Sequence, residues 1–216
     1  STFISTPFGN WRKPVGTIPM CGTYALKRRG RGFDRSKVLS SKDPLSSMGK
    51  ILSSMLLSSM LLSITEIERN DFKKLYRIIP ETLSVELDLS CGYLNKSLPW
   101  DSTEIFARTK GSREWCICKV LPTVSPEELE FLIVELGFTQ IHLANAGFNR
   151  EVILDTIHLL RDEWPEVEVI AGERDVEDFS GVYEYLKAGA DHISLGGVCF
   201  NPFRLKKILG DINIYK

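Results

Sequence analysis

The chain has 216 residues, 27 Lys and Arg against 28 Asp and Glu, a formal net charge of −1 and a hydrophobic share of 43%. That balance excludes a polyanion binder driven by net charge, and the apolar content excludes disordered and collagen-like classes. A chain of this length buries its own core without disulfides, so one domain over residues 1–216 is the expectation.

In chain order, Thr2–Thr6 and Ile18–Leu26 read as strands, joined by a segment too short for a crossover helix. The basic run Lys27, Arg28, Arg29, Arg31, Arg35 and Lys37 reads more readily as a solvated loop than as an anion site. Ile51–Ile64 (ILSSMLLSSMLLSI) is the most apolar stretch, but it is shorter than the roughly 20 residues a spanning helix needs and is broken by Ser pairs. It is read as a buried element whose end, Met60–Ile64, forms a strand. Thr65-x-x-Glu68 or Asn70 can start a helix over Phe72–Ile79, which Pro80 stops.

Beyond residue 80, short β-branched runs alternate with helical stretches, the pattern of βα units and a parallel sheet. The runs are Ser84–Ser90, Trp115–Leu121, Gln140–Ala144, Val167–Ala171 and His192–Leu195. Ser125-Pro126-Glu127-Glu128 carries a capping box with Pro at the first helical position, and Gly137 ends that helix. Val176–Ala188 closed by Gly189, and Pro202–Leu209 closed by Gly210, repeat the same grammar. Eight strands with following helices predict an α/β (β/α)₈ barrel, irregular or incomplete at its N-terminal side.

Five dispersed cysteines with no CxxC signal neither a disulfide framework nor a zinc site, and three scattered histidines add no metal motif. A reducing, cytoplasmic location is expected, with no export signal, no membrane and no nucleic-acid partner. A small-molecule substrate is expected, and self-association is left open.

Reacting groups of such a barrel sit at the C-terminal ends of the strands. Asp88, Ser90 and Cys91 end one run; Lys119, Asn145, Gly172, Gly196 and Gly197 end others. Lys119 interrupts an apolar strand and would point into the barrel mouth, where it could stabilise an anion; the alternative is a lysine snorkelling at a strand end. Cys91 places a thiol at a strand terminus, as a base or nucleophile or as a small buried hydrophobe. Gly172, Gly196 and Gly197 mark the last two strands, the fold's usual phosphate site, or simply turn the chain.

Together these pieces resemble the dihydroorotate dehydrogenases, a family of FMN-containing barrels. VELDLSCG from Val85 resembles the family's N-x-S-C/S-P-N motif, with Cys91 at the position of the catalytic base. Lys119 in CICKVLP is similar to the lysine that contacts the flavin, and Asn145 in HLANA to the flavin- or substrate-contacting asparagine. IAG and YLKAGADHISLGGVCFNP resemble the two phosphate-binding strands, retaining Gly172, Gly196 and Gly197. The resemblance implies an FMN-dependent oxidoreductase converting dihydroorotate to orotate in pyrimidine biosynthesis. Cys91 would take a proton while hydride passes to flavin, Lys119 would stabilise the reduced ring, and Asp88 and Asn145 would contact substrate. Asp88 replaces the motif's first Asn, Gly92-Tyr93 replaces Pro-Asn, and Glu173-Arg174 follows Gly172 where the family has glycines. These differences point to the alternative of a diverged, non-redox binding or assembly subunit. A third reading keeps the phosphate site and makes Lys119 a Schiff-base amine.

Overall fold

Each of the eight apolar runs forms a strand, and the strands close on one another. The computed structural model describes residues 2–5, 17–26, 37–38, 43–55, 60–66, 68, 70–90, 100–173 and 176–215. In chain order the elements begin with β1 (Thr2–Ser5), β2 (Thr17–Ala25), β3 (Lys37–Val38), α1 (Pro44–Met55), β4 (Leu61–Ile64), α2 (Asp71–Tyr76) and β5 (Val85–Asp88). There follow α3 (Trp100–Ala107), β6 (Cys116–Val120), α4 (Pro126–Glu130), β7 (Gln140–Leu143), α5 (Arg150–Glu163), β8 (Glu168–Glu173), α6 (Phe179–Ala188), β9 (His192–Leu195) and α7 (Pro202–Tyr215). The strands β1, β2, β4 and β5 to β9 form a closed, all-parallel eight-stranded barrel, because β1 pairs with both β2 and β9. The fold is the (β/α)₈ barrel. It is closed at the N-terminal side, yet irregular there: the β2–β4 register shifts between Cys21 and Tyr24, and β3 adds a short flap on β2.

The two faces of the wall divide the core. Outward residues such as Leu62, Val85, Leu87, Cys118, Ile141, Leu143 and Val169 are buried beneath the helices in one large cluster. Each such side chain contributes roughly 1.5–3 kcal/mol by leaving water. Inward residues Phe3, Leu61, Ile117 and Ile170, with Met20 and Trp115, form a second cluster inside the barrel. The first four come from β1, β4, β6 and β8, alternate strands of the barrel, as layered packing of this fold requires. Toward the N-terminal end, Phe3, Trp115 and His192 meet edge to face, with Phe3–Trp115 and Trp115–His192 centroids 5.0 and 5.2 Å apart. The floor is therefore a packed plug, and any site must lie above it.

Helix boundaries follow local chemistry. Ser125 accepts from the Glu128 N–H and Glu128 returns the bond, the capping box expected there. The helix then loosens into a π-helical turn, Phe131–Glu135, and ends at Gly137 with φ 66°. Along α5 the buried residues Ile153, Ile157 and Leu160 recur at helical spacing, and Arg161 ties the helix to the carbonyls of Gly189 and Val167 at 2.7 Å each.

Several expectations need correction. Ile51–Ile64 is not one element: α1 ends at Met55 and β4 starts at Leu61. Helix α2 starts behind Asn70, one of the two expected starts, but stops at Tyr76, short of Ile79, and the Asn70 side chain makes no cap hydrogen bond. The helix's free N–H groups go to the buried Glu66 carboxylate, which accepts from Asn70 at 3.2 Å and Phe72 at 3.0 Å. Helix α6 starts at Phe179 behind an Asp178 cap, not at Val176. Gly210 does not stop α7, which runs on to Tyr215; Leu205, Ile208 and Ile212 continue one buried stripe through the glycine, outweighing its cost of about 1 kcal/mol in a helix. Among the described residues no helix is long and apolar enough to cross a membrane.

Candidate functional site

Above the apolar layer the barrel interior turns polar. Strand parity carries Ile117 to Lys119 on β6, Leu61 to Ser63 on β4, and Ile170 to Gly172 on β8. On the strands between them, Glu86 and Asp88 of β5 and His142 of β7 take inward positions. Glu86, Asp88 and His142 are buried, at 1%, 1% and 0% exposure, whereas Lys119 is only half-buried. Asp88 and His142 are the register partners of Lys119 on its two sides, so the three form a row across the inner wall near the strands' C-terminal ends. Lys119 therefore lies where the sequence places it, in the mouth.

Glu86 organises this row. Its Oε1 accepts from Ser63 Oγ at 2.7 Å, and its Oε2 pairs with His142 Nδ1 at 2.6 Å, spanning the inner face of β6. Thr23 Oγ1 hydrogen-bonds Ser63 at 2.9 Å and donates to Asp88 Oδ2 at 3.0 Å, extending a chain of side chains that runs from Asp88 through β2 and β4 to Glu86 and on to His142 of β7. Burial is the largest single influence on Glu86 and pushes its carboxyl up. Lys119 and His142, with hydrogen bonds from His142 and Ser63, outweigh it and hold the carboxyl at about 2. The site thus keeps a buried carboxylate charged beneath an ammonium.

That balance makes Glu86 a source of acid sensitivity in the fold. Because Glu86 goes from about 2 in the folded chain to an ordinary 4.5 when exposed, it contributes on the order of 3 kcal/mol above its unfolded value. This contribution is lost as pH falls from 4.5 toward 2. His192, lowered chiefly by burial, has the same sign: its neutral form favours folding above its ordinary 6.5, and that preference fades on acidification. Urea-unfolding free energies should decline below about pH 5, and Glu86→Gln should flatten that limb; an equally steep decline in the variant would remove Glu86 as its source.

The other sequence-derived candidates fall as follows. Asp88 is a junction: Oδ1 accepts from Ser90 N at 3.0 Å and Ser90 Oγ at 2.6 Å, and Oδ2 accepts from Thr23. Cys91 lies outside the described residues. Asn145 is buried just past β7 and accepts from Gly147 N at 3.1 Å, shaping a turn in which Ala146 (φ 42°) and Gly147 (φ 91°) are left-handed. Gly172 has a packing reason for being glycine: at φ 120° an added Cβ would lie 2.5 Å from the Ser194 carbonyl of β9. Gly172→Ala should cost at least about 2 kcal/mol in urea unfolding; a neutral result would show that the two strands can part. A Cβ on Gly197 would meet nothing, and Gly196-Gly197 opens a short 3₁₀ turn, Gly197–Phe200, at the tip of β9. Cys116 and Cys118 do not offer a ready thiolate: burial pushes Cys116 up to about 11 and Cys118 well above the usual thiol range. Among the described residues no group of three or more His, Cys, Asp or Glu could hold a metal ion.

Sequence reasoning passed over Glu86 and His142, the residues that join the site together. Two clefts of ≈ 400 and ≈ 420 Å³ lie outside the barrel, between α3 and the π turn and between α6 and α7, and neither reaches this row. No protein-family model and no curated protein sequence matches the chain. The case for function therefore rests on the chemistry of the mouth.

Proposed function

We propose that the chain is an FMN-dependent oxidoreductase resembling dihydroorotate dehydrogenase. The observation that carries this reading is the inward-facing Lys119 on the barrel's fifth strand, flanked by Asp88 and His142. An ammonium there suits a ring system that gains negative charge during reaction. The residues fit such a group in outline: Lys119 at the ring, the Asn145 turn beside it, and open space at Gly197 for an anionic tail. Gly172 supports the tail less, since its conformation already answers to β9. Bound FMN would supply the electron-accepting ring, and Cys91, from its position in the motif, would take the substrate proton.

One observation favours a second reading, a non-redox relative that binds without turnover. Three protein donors already occupy both oxygens of Asp88, so it serves the wall where the family's asparagine would serve a substrate.

The visible absorption spectrum of the purified protein, with release and identification of any chromophore, separates the two. Oxidised flavin near one per chain, bleached anaerobically by dihydroorotate, is the result expected. A colourless protein that also refuses added FMN would overturn the first reading and favour the second.

A further inference from the structure

Lys119 does not stand alone on the inner wall. The groups that face it among the described residues are Asp88 and Glu86 from β5 and His142 from β7. Asp88, the register partner of Lys119, accepts from Ser90 N, Ser90 Oγ and Thr23 Oγ1. Glu86 is placed differently. Its hydrogen bond to His142 spans the inner face of the strand that carries Lys119, one residue pair deeper in the barrel. Ser63 and His142 use one oxygen each, and a carboxylate has about four acceptor positions, so capacity remains for a cation from above. A lysine ammonium on its long stem reaches a diagonal neighbour of this kind.

We propose that Glu86 is the positioning residue for Lys119, with Ser63 and His142 acting through it to hold the ammonium charged and aimed at the barrel mouth. The proposal rests on reading Lys119 as the working cation of the mouth. It assigns a task to two buried ionisable groups that the Cys91–Lys119 mechanism does not use. The physical logic is that of an orienting carboxylate: two donors fix its plane, and a fixed anion fixes the cation that pairs with it. A flexible lysine in the half-buried mouth would otherwise sample several rotamers and lose charge readily. The lowered Glu86 carboxyl, with Lys119 among its causes, is the counterpart expected of such a pair.

The test follows the titration of Lys119 in the full chain after reductive methylation with ¹³C-formaldehyde, its signal assigned by loss in Lys119→Arg. In Glu86→Gln the Lys119 amine should bind its proton at least about tenfold more weakly than in the parent chain. An unchanged titration in a folded Glu86→Gln protein would overturn the proposal, since a merely structural carboxylate would leave Lys119 alone. Should Glu86→Gln fail to fold, Lys119→Met gives the reciprocal measurement by carboxyl ¹³C signals of glutamate-labelled protein. There Glu86 should hold its proton at least about tenfold more tightly, and an unmoved Glu86 would overturn the proposal. Neither measurement uses flavin. Coupled titrations in a colourless protein would retire the flavin reading and keep the pair; uncoupled titrations in a flavin-bearing protein would do the reverse.

Discussion

Under the proposed flavin reading, replacing Lys119 by Met should slow flavin reduction by dihydroorotate by about 10²–10³-fold, the usual loss when one preorganised electrostatic partner is removed from a reacting centre. Methionine is unbranched and only one atom shorter than lysine, so it fills most of the same space while the cation is lost. The effect should fall on the reduction step more than on flavin affinity, because the ammonium matters most where charge develops. Lys119→Arg should recover only part of the rate: its guanidinium is wider than the ammonium and fits poorly between two register partners in a half-buried position. Anaerobic stopped-flow absorbance would check this. A reduction rate unchanged in Lys119→Met would remove the lysine from the mechanism and leave it a strand-end residue with a solvated head.

Much of this arrangement can be read from the residues, and the parts that escape do so for identifiable reasons. The five strands beyond residue 80 announce themselves as β-branched runs, and the three before it as apolar runs of weaker pattern, since a wall buried on both faces needs nearly continuous apolar sequence. Lys119 stands out because it breaks such a run. Glu86 and His142 break theirs as well, in VELDL and QIHLA, yet each looks unremarkable alone. What identifies them is parity: Glu86 shares a face with Asp88, and His142 lies on the inward face two residues before Ala144. Their pairing is longer in range, since it joins residues 56 apart in sequence across an intervening strand. Local pattern cannot supply that contact. Gly172 shows the opposite case, a residue whose place in a phosphate-strand motif suggests ligand binding while its neighbour across the sheet already demands glycine. The helix ends depart from the local signals for different reasons. Glu66, just ahead of α2, supplies acceptors at that helix's start, a local contact; in α7 the buried stripe carries the helix through Gly210, where tertiary burial overrides a local stop signal.

The Glu86–His142 pair should dominate the stability of the barrel interior. Removing one member of a buried hydrogen-bonded pair leaves its partner under-compensated, at a cost of about 1–3 kcal/mol and more where that partner is a carboxylate. His142→Leu leaves the Glu86 carboxylate with Ser63 as its remaining neutral donor and with Lys119 above it. Glu86→Leu leaves His142 with its Nδ1 facing an apolar neighbour and takes from Ser63 its acceptor at 2.7 Å. Each single variant should therefore lose a large share of the roughly 5–15 kcal/mol that a domain has in total. Combining them removes both polar ends together, and the two leucines can pack on the layer of Phe3, Leu61, Ile117 and Ile170 directly below. The double variant should then lose less than the sum of the singles, by up to about 3 kcal/mol. Urea midpoints for the parent and the three variants close the cycle. Additive losses would mean that the 2.6 Å contact contributes no coupling, and that the two side chains are held separately by their own strands.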